Sequence, residues 1–340
     1  MSSSEENLKE ELFLRYSFIA DEGQEPLRID KFLVNRIEKA TRNKLREAID
    51  ANQVKVNGKS IKASYKVKPG DSIDVMVDKE PNELLIIPQD IPINIVFEDD
   101  DLMIINKEPG MVVHPGFGNS DGTLLNALAF HFGVEVDSKG KRPWLVHRID
   151  KDTSGLLVIA KNDEAMTHLS KQFQDHTIER TYNALVWGSV EQPEGTISTF
   201  IGRDIYNRKK FVTYMDEEKG KWAVTHYKVL EDFTYTSLVQ CNLETGRTHQ
   251  IRVHMKHMGH PLFNDEFYGG NRILKGVVFS KYKHFVENCF SIMPRQGLHA
   301  KSLGFEHPTT GKWMQFDSDL PHDMAKVIDK WRNVKSTYSF

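Results

Sequence analysis

Cysteine is scarce in this sequence: 340 residues contain two, Cys241 and Cys289. They are isolated and make no metal-type pair, so a reducing cytoplasm is the expected location. Long apolar runs are missing as well. The longest clear ones, such as "LLVIA" (Leu156 to Ala160), are far too short to cross a bilayer, so no membrane partner is expected. The opening residues, "MSSSEENLKE", are acidic and polar, unlike a signal peptide or a basic transit peptide. Internal repeats and low-complexity tracts are absent. What remains is ordinary for a globular chain, 39% hydrophobic and 27% charged. Its length allows more than one domain and a sizeable core.

A large excess of either charge is also missing, since the net charge is -3. The distribution is uneven, however. From Arg28 to Lys68 twelve Lys/Arg stand against four Asp/Glu, a local balance of +8, which leaves -11 for the rest. A solvated helix face is the ordinary meaning of such a run. Inside a compact patterned unit it points instead to a polyanion-binding module on a more neutral body.

The pattern along the chain supports that division. Residues 1–15 read as an acidic disordered tail and residues 16–78 as a small folded unit. Within the latter, Ile29, Phe32, Leu33 and Ile37 share one helical stripe. Leu45, Ala48 and Ile49 share a second, with Thr41 placed as its cap. "QVKVNGKSIK" alternates around Asn57-Gly58, a hairpin signal, and "VKPGDSIDVMV" adds a turn and a strand. Arg42, Lys44, Arg46, Lys55, Lys59 and Lys62 would be presented mostly outside that core. Residues 79–94 carry three prolines and read as a linker. A body follows over residues 95–325, then a C-terminal tail, 326–340. Its many short strands, among them "DDLMIINK", "RTYNALVWGSV", "AVTHYKVLE" and "TSLVQCNLET", predict an α+β domain with a largely antiparallel mixed sheet flanked by helices.

Two stretches carry candidate chemistry. In "VHRIDKDTSGLLVIAK", Asp150 lies among cations just before a turn and a buried strand. Nearby positive charge keeps a carboxylate ionised, which suits a nucleophile or an electrostatic stabiliser and suits a general acid badly. A surface turn with a structural salt bridge is the plain alternative. In "ETGRTHQIRVHMKHMGHPLFND", Arg247 and Arg252 surround His249 and Gln250, and Arg252 has apolar neighbours, Ile251 and Val253. A guanidinium so placed is often aimed at one anion; if it faces Asp150, the pair explains both residues. A snorkelling arginine on a surface strand edge is the competing view.

"HRIDKDTSGLLVIAK" resembles the H-R-[LI]-D-x-x-T-S-G-L signature of the RluA/RluD-type pseudouridine synthases. "GRTHQIRVHMKHMGHPLFND" and "RTYNALVWG" are similar to two further motifs of that family, as are "INKEPGMVVHPGFGNSDGTLLNAL" and "LHAKSLGFEHPTTG". The N-terminal unit resembles the S-four-like (alpha-L) RNA-binding domain. Together the matches cover roughly residues 28–320 in the family's order. Two departures, Asn106-Lys107-Glu108-Pro109-Gly110 where the family usually reads N-K-P-x-G and Ile149 where it often has leucine, touch none of the residues with charge in the signature.

The resemblance implies conversion of specific uridines to pseudouridine, with no cofactor and no metal. Asp150 matches the catalytic aspartate, Tyr182 the tyrosine that stacks on uracil, and Arg252 the arginine paired with the aspartate. Arg148 matches the arginine that fills the space of the extruded base. His147, Arg247, His249 and Gln250 are further expected RNA contacts, and Leu298 and Ile251 expected walls of the uracil pocket. The likeness is best to large-subunit rRNA enzymes of the RluD/RluC kind. The expected partner is therefore an rRNA stem-loop, with tRNA open as an alternative and a monomeric chain. Rival readings remain a glycoside hydrolase built on Asp150 and Asp152, a metal enzyme using His249, His254, His257 and His260, and a non-catalytic RNA-binding factor.

Overall fold

The computed structural model describes residues 13–37, 40–77, 86–116, 119, 121–133, 144–276 and 279–337. The chain divides into two units, Met1–Leu85 and Ile86–Phe340.

The first unit runs β1 (Phe13–Ile19), β2 (Leu27–Arg28), α1 (Ile29–Val34), α2 (Arg42–Asp50), β3 (Val54–Val56), β4 (Lys59–Ser60), β5 (Lys66–Val67) and β6 (Ser72–Val77). Its larger sheet has the order β1-β6-β3-β4, with β2 paired to β5 alongside. The two helical stripes meet in one core, where Ile29, Phe32 and Leu33 are fully buried beside Ile49, Val54 and Ile73. Thr41 caps α2 by accepting the Lys44 N–H. Asn57 and Gly58 both have positive φ, 51° and 75°, as a tight hairpin turn between β3 and β4 requires. Asp71, of the Pro69-Gly70 turn, ties the unit together by accepting from Asn57 Nδ2, the Tyr65 hydroxyl and the Lys68 N–H. Since β1 begins at Phe13, residues 13–15 belong to the fold and not to the expected tail; the rest of that tail, residues 1–12, lies outside the described residues.

The second unit contains β7 (Ile95–Glu98), β8 (Leu102–Lys107), α3 (Leu124–His131), β9 (Trp144–Leu145), β10 (Ser154–Ala160), α4 (Asp163–Gln174), β11 (Glu179–Trp187), β12 (Glu194–Arg203), β13 (Phe211–Tyr214), β14 (Lys221–Asp232), β15 (Thr236–Leu243), α5 (Gln250–His257), α6 (Ser280–Ile292), β16 (Leu298–Glu306), β17 (Trp313–Asp317) and α7 (His322–Thr337). Nine strands follow the order β13-β12-β14-β15-β11-β16-β10-β8-β7, and β17 and β9 pair with β16 and β10. Every pairing among the described strands of this sheet is antiparallel except β10 with β16.

Strand β10 shows why "LLVIA" is unbroken. Leu157 and Ile159 enter a core shared with α3 and α5, while Leu156 and Val158 enter another beneath α4. Both faces of the strand are covered, so alternation is lost. Gly155, just ahead of this run, has φ +113°, and a Cβ there would lie 2.2 Å from the Ala300 carbonyl oxygen of β16. Only glycine permits that approach.

Two expected boundaries need correction. Residues 86–94 are not linker: Ile86 is buried against Leu125 and Ala129, and Asn126 Nδ2 donates to the Ile87 carbonyl. Gln89 Oε1 accepts from the Gly122 N–H. Residues 79–85 lie outside the described residues. Nor are residues 326–337 a tail; 338–340 lie outside the described residues. In α7 the side chains of Met324, Val327, Ile328 and Trp331 are fully buried, packed with α6 and with Trp187 and Phe263. None of the described helices is long and apolar enough to cross a membrane.

Candidate functional site

Asp150 sits in the loop between β9 and β10, where its carbonyl accepts the Thr153 N–H in a turn, and its carboxylate opens into a cavity of about 510 Å³. That loop is held from behind by two cations. The buried Lys107 ammonium donates to the carbonyls of Lys151 (2.9 Å), Glu108 (2.7 Å) and Met111 (3.0 Å). Burial drives its pKa down to about 8. Arg295, also buried, donates to the Asp152 carbonyl at 2.9 Å and is clamped by both oxygens of Asp323, in the first turn of α7. The backbone of this loop is thus fixed by side chains from three distant segments.

Arg252 comes from the first turns of α5, a helix and not a strand edge. Its Nη1 donates to Asp150 Oδ2 at 2.9 Å, so the two sequence-selected residues do meet. Nε and Nη2 make a two-pronged contact with Asp265, at 2.7 and 2.9 Å. Asp265 is fully buried and accepts the Tyr268 N–H as well. Burial opposes the charge on Arg252, but the Asp265 and Asp150 carboxylates outweigh it and hold the guanidinium more firmly protonated than usual. The faces of Tyr268 and Phe267 lie 5.0 and 5.9 Å from its guanidinium carbon.

Tyr182, on β11, is buried and lines the same cavity. Burial pushes its phenol pKa up; the Arg180 charge opposes this and the Asp150 charge adds to it. Leu298, at the start of β16, and Ile251 are nearly inaccessible and also line the cavity, where both were expected. Arg148 is exposed at its mouth, and Arg247, anchored by Nε to the Trp222 carbonyl at 2.9 Å, stands on the rim. His249 has a left-handed backbone, φ 57°, just ahead of α5. That turn aims Nε2 towards Asp150 Oδ1, at 3.8 Å, while Nδ1 and the Tyr268 hydroxyl are 2.8 Å apart.

Two expected RNA contacts are committed to the protein instead. Gln250 is buried; its oxygen accepts from the Thr245 hydroxyl and the Arg247 N–H, and its nitrogen donates to Val224 and Thr225. His147 Nε2 accepts the Val158 N–H and its ring packs on Phe173 at 4.7 Å. Burial, with the Arg180 charge second, lowers its pKa to about 3, so it presents no cation to phosphate. A neutral amide or imidazole beside a motif arginine carries no mark in the sequence of which way it turns.

The rival constellations separate in space. Asp150 lines the main cavity, whereas Asp152 lines a second one, of about 320 Å³. The other histidines have separate partners: His254 sits between Thr199 and Thr225, His257 beside Thr213, and His260 against the Trp187 carbonyl. In the first unit Arg42, Lys44, Arg46, Lys59 and Lys62 are exposed and Lys55 half-buried.

Sequence reasoning missed Asp265, Lys107, Arg295 and Arg180. For Asp265 a signal existed: a buried arginine fork has more donors than one aspartate can take, and a second carboxylate stands in the same motif.

The family described as RNA pseudouridylate synthase matches residues 101–257, and the S4 domain matches residues 27–73. An uncharacterised RNA pseudouridine synthase of Chlorobaculum parvum is 48% identical over 315 residues, 92% of this chain and 96% of that protein. The ribosomal large subunit pseudouridine synthase D of Zymomonas mobilis is 42% identical, covering 88% and 92% of the two chains. Human RNA pseudouridylate synthase domain containing 4 shares the fold, with a TM-score of 0.53 at 22% identity over 70% of this chain and 93% of its own.

Proposed function

The chain belongs to the RNA pseudouridine synthase family and carries an S4 domain, and from that premise we propose that it isomerises uridines of large-subunit ribosomal RNA with Asp150 as the catalytic group. One observation carries the reading. The Asp150 carboxylate is held 2.9 Å from Arg252 at the wall of a cavity that Tyr182 and Leu298 also line. The cavity is in the size range of small-ligand pockets.

The chemistry needs an anionic oxygen that can reach C1′ of a ribose. As the N-glycosidic bond opens, Asp150 either adds to C1′, to be displaced when C5 attacks, or takes the C2′ proton and returns it to C2′ when C5 attacks. Uracil then turns and C5 joins C1′, after which the C5 proton is lost and N1 is protonated. Reactant and product are isomers, so no co-reactant is consumed. Arg252, fixed by Asp265, keeps one Asp150 oxygen oriented and charged. Tyr182, a neutral phenol, offers a face for the uracil to stack on, and we assign the handling of the C5 proton to its hydroxyl.

C1′ of a stacked, paired uridine is out of reach, so the nucleotide is extruded at a cost of a few kcal/mol, least in a loop. Arg148, exposed at the cavity mouth, is placed to stack in the vacated position. Arg247 and His249 on the rim, with the lysines and arginines of the first unit, contact the RNA backbone. The relatives named for the large ribosomal subunit favour that substrate, and a cytoplasmic monomer fits the reading.

Mapping pseudouridines in ribosomal and transfer RNA from cells with and without the gene tests the substrate. Loss of particular large-subunit sites is expected. An unchanged rRNA map with lost tRNA sites would move the same chemistry to tRNA.

A further inference from the structure

Arg180 is a cation that the reading above leaves unused. It precedes Tyr182 by two positions on β11, so both side chains leave the same face of the strand, and both line the main cavity. It is only 8% exposed. Among the described residues its hydrogen bonds go to backbone alone: Nη2 donates to the carbonyls of Leu243, at 3.3 Å, and Glu244, at 3.1 Å. Its Nε is buried with no acceptor. The Phe173 ring lies 5.3 Å from its guanidinium carbon. Gly246 gives it room, since a Cβ there would stand 2.8 Å from Arg180 Nη1.

Arg252 shows how this fold satisfies a buried guanidinium when the need is structural: two carboxylates, one of them fully buried. Arg180 has none within ion-pair distance among the described residues. Burying a cation without a counter-charge is unfavourable, and burial indeed lowers its pKa from the ordinary arginine value. A charge kept under those conditions at the wall of a reaction cavity has a ready explanation. Its anion is present only while the reaction is under way.

The proposed chemistry makes such an anion. When the C1′–N1 bond breaks, its electron pair leaves with the base, and the ring bears a negative charge shared by N1, O2 and O4. The charge disappears when a ring pair forms the C5–C1′ bond; the C5 proton then leaves and N1 is protonated. We propose that Arg180 is a further catalytic residue, whose guanidinium donates to a ring oxygen of the detached uracil and stabilises it between cleavage and religation. The inference rests on the assignment of Asp150 above. Because neutral, attached uracil has far less charge to offer, Arg180 acts on the rate and little on RNA affinity.

Single-turnover kinetics of Arg180→Met on a large-subunit rRNA transcript test this, together with the same transcript containing 5-fluorouridine, whose base leaves more readily. Disappearance of the N-glycosidic nucleoside is followed for both RNAs. The expected result is RNA affinity within about threefold of wild type and a rate on uridine down about 100-fold, the scale of losing one charge-stabilising donor. With 5-fluorouridine the deficit should shrink to about 10-fold. Arg180→Lys, which keeps a cation should the methionine variant fail to fold, is expected to lose about 10-fold on uridine and less on the fluorinated base. A rate within threefold of wild type overturns the proposal. So does an equal deficit on both RNAs, which would make Arg180 a support for the 243–246 backbone. Asp150→Asn, run alongside, separates the two levels. Its full turnover would remove the underlying mechanism, whereas an inactive Asp150→Asn beside an unimpaired Arg180→Met removes only the role given to Arg180.

Discussion

The two units each contain an ion cluster, and the clusters are built with opposite stoichiometry. In the first unit one carboxylate, Asp30, with its side chain fully buried, is approached by Arg28 at 3.1 Å, Arg42 at 3.1 Å and Arg46 at 3.5 Å. Those arginines are themselves 37%, 48% and 48% exposed. In the second unit one guanidinium, Arg252, 8% exposed, is shared between buried Asp265 and the partly open Asp150. The charge in the minority is saturated in both places. The surplus faces outward in the S4 domain, and in the second unit into the cavity where, in the function proposed, an anionic oxygen reacts.

The contrast can be broken from either side. The largest effect is expected for Asp265→Asn, which leaves Arg252 with a single carboxylate. Removing one partner of a buried ion pair costs about 3–5 kcal/mol, so thermal unfolding should show a clear loss. Turnover should fall about 100-fold as Arg252 loses its fixed orientation, read by single-turnover assay. A smaller effect is expected for Lys55, Lys59 and Lys62 changed together to glutamine. RNA binding should weaken, and the slope of log affinity against log salt should fall by about 2–3, near one per phosphate contact removed. The turnover rate of bound RNA should be unchanged.

Asp30 gives the smallest change. Burial raises its pKa, but the hydrogen bonds and charges of Arg28 and Arg42 outweigh that and bring it to about 2. The folded value lies below the ordinary unfolded one, about 3.9. The stabilisation is therefore present above pH of about 4 and is lost as pH falls through about 2. An NMR titration should place the Asp30 carboxyl midpoint near 2. Asp30→Asn should cost on the order of 2 kcal/mol at neutral pH, the scale of charged hydrogen bonds, while leaving the Asp150 site active.

How far the sequence could be read follows from how local each signal is. The hairpin at Asn57-Gly58, the capped stripe of α2 and the doubly buried β10 are written in neighbouring residues, and they stand where expected. The meeting of Asp150 with Arg252, 102 positions apart, was legible because a charged fork amid Ile251 and Val253 needs an anion. Helix α5 was less so, because arginines and histidines blur its apolar face. In α7 the spacing of Met324, Val327, Ile328 and Trp331 marks a helical stripe, and the charged residues between them masked it. Lys107, Arg295 and Asp323 could not be assigned from sequence at all. Their role is to hold the carbonyls of Lys151 and Asp152, and a backbone acceptor leaves no trace in residue type.

The central claim is that one oxygen of Asp150 performs the chemistry. Asp150→Asn keeps the shape and removes the charge, so its single-turnover product yield, measured beside RNA affinity on the same preparation, tests the claim most directly. Unchanged affinity with no detectable pseudouridine is expected. Pseudouridine formed at the wild-type rate by the asparagine variant would contradict it.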